Sequence, residues 1–257
     1  MKSESADYRQ PHAFRPINTF SHLRLSNITS LQEVLDCLEG LRREQPDFRF
    51  LCTLDDINQC CYTSGHASAD ERLELDEDSD IDFDDPEAVH AWEGRALVHV
   101  AAQLQSGLQQ AWSDVAGTLA IADGDIEALL AMNRNPDAVL DDVVYVQRLP
   151  LAQDDLIIAG LPNGYFSCDW DVFQNHAVIR HLRDHHAYRF FGIGASWLGF
   201  IRDNPVEPSA ADRLVADLQQ LYGQENPAQD EGAWRELGRI VQQQRVLLLG
   251  YTERFAE

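Results

Sequence analysis

The stretch from 161 to 202 constrains the fold more than any other part of the chain, because it joins a turn, a capped helix and two apolar strand candidates without a break. Asn163-Gly164 favours a turn, since both residue types tolerate positive φ. Asp171, followed three residues later by Gln174, is a variant of the capping box that begins a helix. The helix should end near His185-His186, where cationic side chains suit the negative pole of the dipole. These signals predict architecture rather than chemistry.

Gly192 and Gly194 separate the apolar runs YRFF and SWLGFI, which predict two strands of a hairpin. The same glycines could suggest a phosphate-binding loop. However, Trp197 stands where the dinucleotide fingerprint needs its third glycine, and strand-like sequence follows it. We therefore expect a tight hairpin turn.

Helical and strand periodicities recur along the rest of the chain. They predict helices over Ser30–Arg43, Glu87–Trp112, Ile126–Met132, Ser209–Tyr222 and Ala233–Gln243, and strands over Phe48–Leu54, Val143–Leu149, Leu156–Gly160 and Val246–Tyr251. This pattern is typical of an α+β fold with mixed sheets flanked by helices. It predicts an extended N-terminal arm over 1–18, an α/β half over 19–137 with an acidic loop at 70–87, and a second α/β half over 138–257. The halves share a loose element order, so two similar units are one interpretation.

The charge balance narrows the function classes, since 43 acidic residues against 20 basic ones give a net charge of −23. Direct nucleic-acid binding needs a basic stripe that releases counterions from phosphates, which this composition does not provide. An anionic membrane surface is disfavoured for the same reason. A basic protein partner is favoured, because opposite charges speed encounter.

The acidic loop is the candidate partner-binding element. Its predicted contact residues are Asp76, Asp78, Asp80, Asp82, Phe83, Asp84 and Asp85, with Phe83 and Ile81 as apolar anchors. Alternating carboxylates from Asp76 to Glu87 also match the ligand positions of an EF-hand calcium loop, but Ile81 stands where that loop requires glycine. A plain solvated loop is the third interpretation, since dense like charge resists compaction.

Two further candidate sites carry weaker signals. His181 and His185 have the i,i+4 spacing that could present two metal ligands, but no third ligand lies on that helix face, so a solvated polar face is the favoured interpretation. Cys168 with Asp169 and His176 could form a nucleophile and its base, provided that they meet in space. A structural cysteine is the commoner case. We therefore predict neither a cofactor nor a metal.

The compartment follows from cysteines and from the N-terminus. Five cysteines in no CxxC arrangement predict reduced thiols. The segment MKSESADYRQPH lacks the apolar core of a signal peptide. We therefore expect a cytoplasmic protein.

The region from Asp155 to Arg254 resembles a bacterial family known only as a domain of unknown function. The resemblance rests on the turn at Asn163-Gly164, the helix ending in HLRDHHAY, the strand with Gly192 and Gly194, and SWLGFIR. In overall character, the chain is also similar to immunity proteins that protect bacteria from their own secreted toxins, including nuclease toxins of type VI secretion systems.

Charge and resemblance together predict a non-enzymatic immunity protein. It would neutralise a basic toxin, with a nuclease as the expected class, by covering the active site or blocking substrate access. The alternatives are a hydrolase-type enzyme that uses Cys168 and nearby Asp and His residues, or a non-catalytic regulatory scaffold.

Overall fold

A mixed seven-stranded sheet organises the protein, in a computed structural model that describes residues 1–75, 81–224 and 227–256. The strands of both sheets, in chain order, are β1 (Lys2–Ser5), β2 (Ser21–Ser26), β3 (Arg49–Thr53), β4 (Leu119–Ile121), β5 (Val143–Leu149), β6 (Arg189–Ile193), β7 (Trp197–Ile201), β8 (Tyr222–Gln224) and β9 (Val246–Gly250). The large sheet runs β1-β2-β5-β3-β6-β7-β9, and β4 pairs with β8 in a small parallel sheet.

Only the β3–β6 pair of the large sheet is parallel, among the strands that the structure describes. β6 and β7 form the antiparallel hairpin that the two glycines predict. Every residue of β7 and β9 is buried, so both faces of this end of the sheet are covered. The predicted α+β class is confirmed.

Helices surround this sheet, with bounds α1 (Leu31–Glu44), α2 (Ile57–Ala67), α3 (Pro86–Leu104), α4 (Trp112–Val115), α5 (Asp123–Arg134), α6 (Val172–His186), α7 (Pro208–Leu221) and α8 (Pro227–Val241). The capping box of α6 is present, because Asp171 accepts a hydrogen bond from Gln174 N at 2.8 Å and Gln174 Oε1 accepts one from Asp171 N. Ala187 ends the helix in the left-handed conformation, at φ 54°.

The strand order interleaves the two predicted halves. β5, from the C-terminal half, lies between β2 and β3 of the N-terminal half. Strands from 19–137 and from 138–257 therefore share one sheet and one hydrophobic core.

Two local predictions were wrong: the strand at Leu156–Gly160 and the C-terminal end of the helix over Glu87–Trp112. Residues 154–160 form a 3₁₀ helix rather than a strand, and Gly160 O accepts hydrogen bonds from Asn18 and Gln147 side chains instead of a ladder partner. The run LIIAG is buried throughout, and periodicity alone does not separate a buried strand from a buried helical turn. The N-terminal arm contributes the edge strand β1, and α3 ends at Leu104 instead of reaching Trp112.

Candidate partner-binding surface

Helix α2 is the centre of the exposed surface that best fits a binding role. Asp56 is the N-cap of this helix, and its side chain accepts a hydrogen bond from Gln59 N at 3.0 Å. Its inner face is buried, and Asn163 Nδ2 donates to Cys60 O at 3.0 Å. This bond joins α2 to the loop that leads from Asn163 into α6.

Four aromatic rings lie together on the outer side of this junction. Tyr62 and His66 belong to α2, and their ring centroids are 4.5 Å apart. His66 stacks on Tyr165 at 4.6 Å, and Tyr165 contacts Phe166 at 5.2 Å. We call these four residues the aromatic cluster.

The aromatic cluster stays open to solvent. The exposed fractions of Tyr62, Tyr165 and Phe166 are 58%, 46% and 49%. Large apolar side chains that are exposed side by side typically mark a binding surface, whereas single exposed ones are ordinary.

Gly164 directs the loop so that Tyr165 and Phe166 point outward. Its φ is +99°, and a Cβ at this position would meet Trp170 O at 1.9 Å. Only glycine tolerates both conditions. The predicted Asn163-Gly164 turn therefore positions two members of the aromatic cluster.

The acidic loop begins three residues after the end of α2 and is anchored by Arg72. Arg72 Nη2 lies 2.6 Å from Asp70 Oδ2 and 2.7 Å from Asp171 Oδ2. Asp171 is the N-cap of α6, so one arginine links the loop to the same helix that follows the aromatic cluster.

In the described part of the acidic loop, two aspartate side chains accept hydrogen bonds from nearby backbone N–H groups. Asp82 Oδ1 accepts a hydrogen bond from Asp84 N, and Asp85 Oδ1 accepts one from Glu87 N, both at 3.0 Å. Asp85 is thereby the N-cap of α3. The predicted contact residues Asp76, Asp78 and Asp80 lie outside the described residues, as does part of the predicted calcium loop.

Phe83 has the exposure expected of an anchor. Its exposed fraction is 70%, and its ring makes an edge contact with Trp92 at 6.2 Å. Trp92 in turn lines an open groove of about 770 Å³ between α2, the 69–75 segment and α3. Polar and apolar groups share the groove lining about equally, and Glu74 and Glu93 are its carboxylates.

The alternative thiol site is not assembled among the described side chains. Cys168 is exposed, and its polar contact is Ser167 Oγ at 3.9 Å. His176 is 1% exposed, and its Nε2 lies 3.3 Å from Asp155 Oδ2. Asp169 accepts a hydrogen bond from Glu253 N instead of orienting a base.

The histidines of α6 do not form the solvated face that the sequence predicted. His176 is buried against Asp155 within the core, and His186 is buried near α7. His181 and His186 both approach Asp217 of α7, while His185 is exposed. The tertiary packing of α6 between other elements decides which imidazoles are buried.

Burial and hydrogen bonding shift the pKa of Asp217 in opposite directions, and the same holds for His186. Burial alone would raise the pKa of Asp217, but hydrogen bonds from His181 and His186 outweigh it and lower the pKa. Burial also lowers the pKa of His186, against the attraction of Asp217. The carboxylate is therefore held in its charged form.

Sequence reasoning missed Tyr62, His66, Tyr165 and Phe166 as site residues. Helix α2 was not predicted, because CCYTSGH combines β-branched, aromatic and glycine residues of low helix propensity. The signal that could have found the site is the pair Tyr165-Phe166 directly after a predicted turn. Two large aromatic side chains in a loop indicate either a packing partner or a binding surface.

No helix among the described residues is both long enough and apolar enough to span a membrane. Comparisons with known protein families, with curated proteins and with solved structures find no match to this chain. The resemblance of the 155–254 region to a domain of unknown function stays a prediction.

Proposed function

We propose that this protein is a non-enzymatic immunity protein that binds and neutralises a basic antibacterial toxin, with a secreted nuclease as the class that fits best. The observation that carries the proposal is the exposed aromatic cluster, part of it on the helix that precedes the acidic loop, in a chain with a net charge of −23. The protein would act in the cytoplasm of the cell that produces the toxin.

Charge supports the encounter step. A strongly negative protein attracts a positive partner over roughly one Debye length, about 8 Å at physiological ionic strength. Such steering raises association rates and disfavours acidic competitors. Steering alone does not hold two proteins together, so an apolar anchor is also needed.

The aromatic cluster supplies the anchor. Tyrosine and other large aromatic residues are enriched among the few side chains that dominate binding energy. Tyr62 and Tyr165 each contact the ring of His66, and Tyr165 contacts Phe166, so the rings are already ordered and lose less entropy on binding. Phe83 offers a second apolar contact on the acidic loop.

A nuclease fits this surface because its active site must bind phosphate and is therefore basic. Carboxylates that cover such a site compete with the substrate backbone. The same surface would repel nucleic acid, so inhibition would require no catalytic group on this chain.

The test begins with recovery of the tagged protein from its native host at low salt. We expect a basic protein to copurify in a fixed ratio, and the purified pair to associate more slowly as salt is raised. Adding this protein should stop the partner's degradation of plasmid DNA or RNA at a one-to-one ratio. Failure to recover any basic partner, or an association rate that does not depend on salt, would contradict the proposal.

Matched substitutions locate the surface. Phe166→Ala should accelerate dissociation of the pair, whereas Val98→Ala should leave it unchanged. Val98 is similarly exposed, at 61%, but lies on the outer side of α3. Equal dissociation rates for both variants would place the contact elsewhere.

A further inference from the structure

Two helices bring three metal-binding side chains together at a distance from the aromatic cluster. His181 Nε2 lies 2.8 Å from Asp217 Oδ2, and His186 Nε2 lies 2.7 Å from the same oxygen. The three donor atoms all lie within 4.8 Å of one another. We propose that His181, His186 and Asp217 bind a divalent transition-metal ion of the Zn²⁺ type between α6 and α7.

The donor set matches this ion class. Zn²⁺ takes imidazole nitrogen and carboxylate oxygen at about 2.0–2.2 Å, usually in tetrahedral geometry. Tetrahedral donors at that bond length are about 3.3 Å apart. Both nitrogens lie about half an ångström closer to Asp217 Oδ2 than tetrahedral ligands would, so the side chains must separate from it to admit the ion. Three protein ligands would leave a further position for water.

The side chains are held in place before any ion binds. The ring of Trp112 stacks on His181, with centroids 3.7 Å apart and planes within 14°. His186 is buried, and the helix ends directly after it at Ala187. Asp217 is on α7, a helix of 14 residues whose inner face is buried. Ligands that are already ordered lose little entropy on binding a metal.

The i,i+5 spacing explains why the helical rule singles out His181 with His185 and not His181 with His186. Residues five apart are about 140° apart around an ideal helix, so His181 and His186 do not share a face by the helical rule. They converge because Asp217 lies between their directions, on a neighbouring helix. His185, which has the helical spacing to His181, is exposed instead.

Local charges also favour a cation. The nearby arginines of α6 face other acceptors, since Arg183 contacts Asp155 and Asp184 and Arg180 donates to Gln110 O. The net charge of −23 further raises the concentration of cations near the surface. In the absence of metal, two imidazole N–H groups would both donate to one carboxylate oxygen, which is a structural link between α6 and α7.

Titration of the metal-free full chain with Co²⁺ distinguishes a metal site from a purely structural link between α6 and α7. We expect one Co²⁺ per chain, a visible ligand-field spectrum of tetrahedral type, and displacement by Zn²⁺. Asp217→Asn and His181→Gln should each weaken Co²⁺ binding by roughly tenfold or more. His12→Gln, a histidine on the N-terminal segment, is the matched control and should bind as the parent does.

Zn²⁺ should also raise the midpoint of thermal unfolding of the parent and of His12→Gln, but not that of Asp217→Asn. The measurement requires only that the variant folds. If Asp217→Asn does not fold, His181→Gln takes its place, because the side chain of His181 is partly exposed. Unchanged Co²⁺ affinity in both variants would overturn the proposal. So would thiolate-to-cobalt charge-transfer bands, which would assign the ion to cysteines.

Discussion

The backbone of Gly194 lies against the carboxylate of Asp55, so closely that a Cβ at position 194 would meet Asp55 Oδ1 at 1.8 Å. Asp55 Oδ2 accepts a hydrogen bond from Ser196 N at 2.9 Å, whereas Oδ1 is buried without a hydrogen-bond partner. Burial, against the backbone hydrogen bond from Ser196, raises the pKa of Asp55 to about 7. Asp55, the second residue after β3, is therefore held against the β6–β7 hairpin by a carboxyl group whose protonated form is favoured by burial.

This relationship predicts a stability change with pH. Asp55 binds a proton more tightly in the folded than in the unfolded chain, so its contribution to stability is present below pH 4 and is lost as pH rises towards about 7. Each unit of pKa difference corresponds to about 1.4 kcal/mol. Asp55→Asn stays neutral, so we expect the variant to gain stability relative to the parent between pH 5 and pH 8.

Urea unfolding of both proteins at several pH values measures the difference in their free energies of unfolding. The contributions of the other titrating groups are common to both proteins and cancel in this difference. A difference in unfolding free energy that stays constant from pH 5 to pH 8 would contradict the prediction.

Gly164→Ala should destabilise the protein and disturb the aromatic cluster. The substitution forces a non-glycine residue to φ +99° and places a Cβ 1.9 Å from Trp170 O. We expect a loss of roughly 1–3 kcal/mol in the free energy of unfolding. Gly40→Ala is the control, because Gly40 lies inside α1 with open space around it, and alanine there should be neutral or stabilising by about 0.5–1 kcal/mol. Thermal unfolding distinguishes the two, and equal effects would be evidence against the strained turn.

Asp155→Asn tests the buried charge network of α6. Arg183 Nη1 lies 2.6 Å from Asp155 Oδ1, without the alignment of a hydrogen bond, and His176 contacts the other oxygen. Burial would raise the pKa of Asp155, but His176 and Arg183 outweigh it and lower the pKa, so this stabilisation is lost as pH falls below about 4.

We expect Asp155→Asn to cost roughly 1–3 kcal/mol at pH 7. Asp184→Asn removes the exposed carboxylate that pairs with the same arginine, 2.7 Å from its Nε, and should cost less than about 1 kcal/mol. Denaturant unfolding of both variants checks the order. A larger loss of unfolding free energy for Asp184→Asn than for Asp155→Asn would show that burial does not decide how much each carboxylate stabilises the fold.

Tyr62→Ala and Phe166→Ala should leave the fold intact while weakening partner binding. Both side chains are about half exposed, so the free energy of unfolding should change by less than about 0.5 kcal/mol. Loss of a binding anchor typically costs about 2 kcal/mol or more in affinity. Cys168→Ala, two residues beyond Phe166, should preserve both binding and neutralisation. If Cys168→Ala instead abolished protection, the thiol-enzyme alternative would be favoured.

Local signals in the chain predicted several elements well. The capping box of Asp171 and Gln174, the hairpin around Gly194 and the strand of Val143–Leu149 depend on neighbours a few residues away, and each is present. LIIAG failed, because an apolar run fits any buried conformation. α2 was missed because its residues have low helix propensity, and β2 was missed although Leu23 and Leu25 alternate with polar residues.

For the candidate sites, the sequence by itself determined the composition: an acidic chain with a loop of dense carboxylates and a helix rich in histidine. Only the tertiary structure decided which side chains meet. Tyr62 reaches Tyr165 through His66 because α2 is bonded to Asn163 at the start of the 163–168 loop, and His181 meets His186 across Asp217, which α7 supplies. The contacts of His66 with Tyr165 and of the two histidines with Asp217 join residues at least 31 positions apart, and no local period encodes the packing that brings them together.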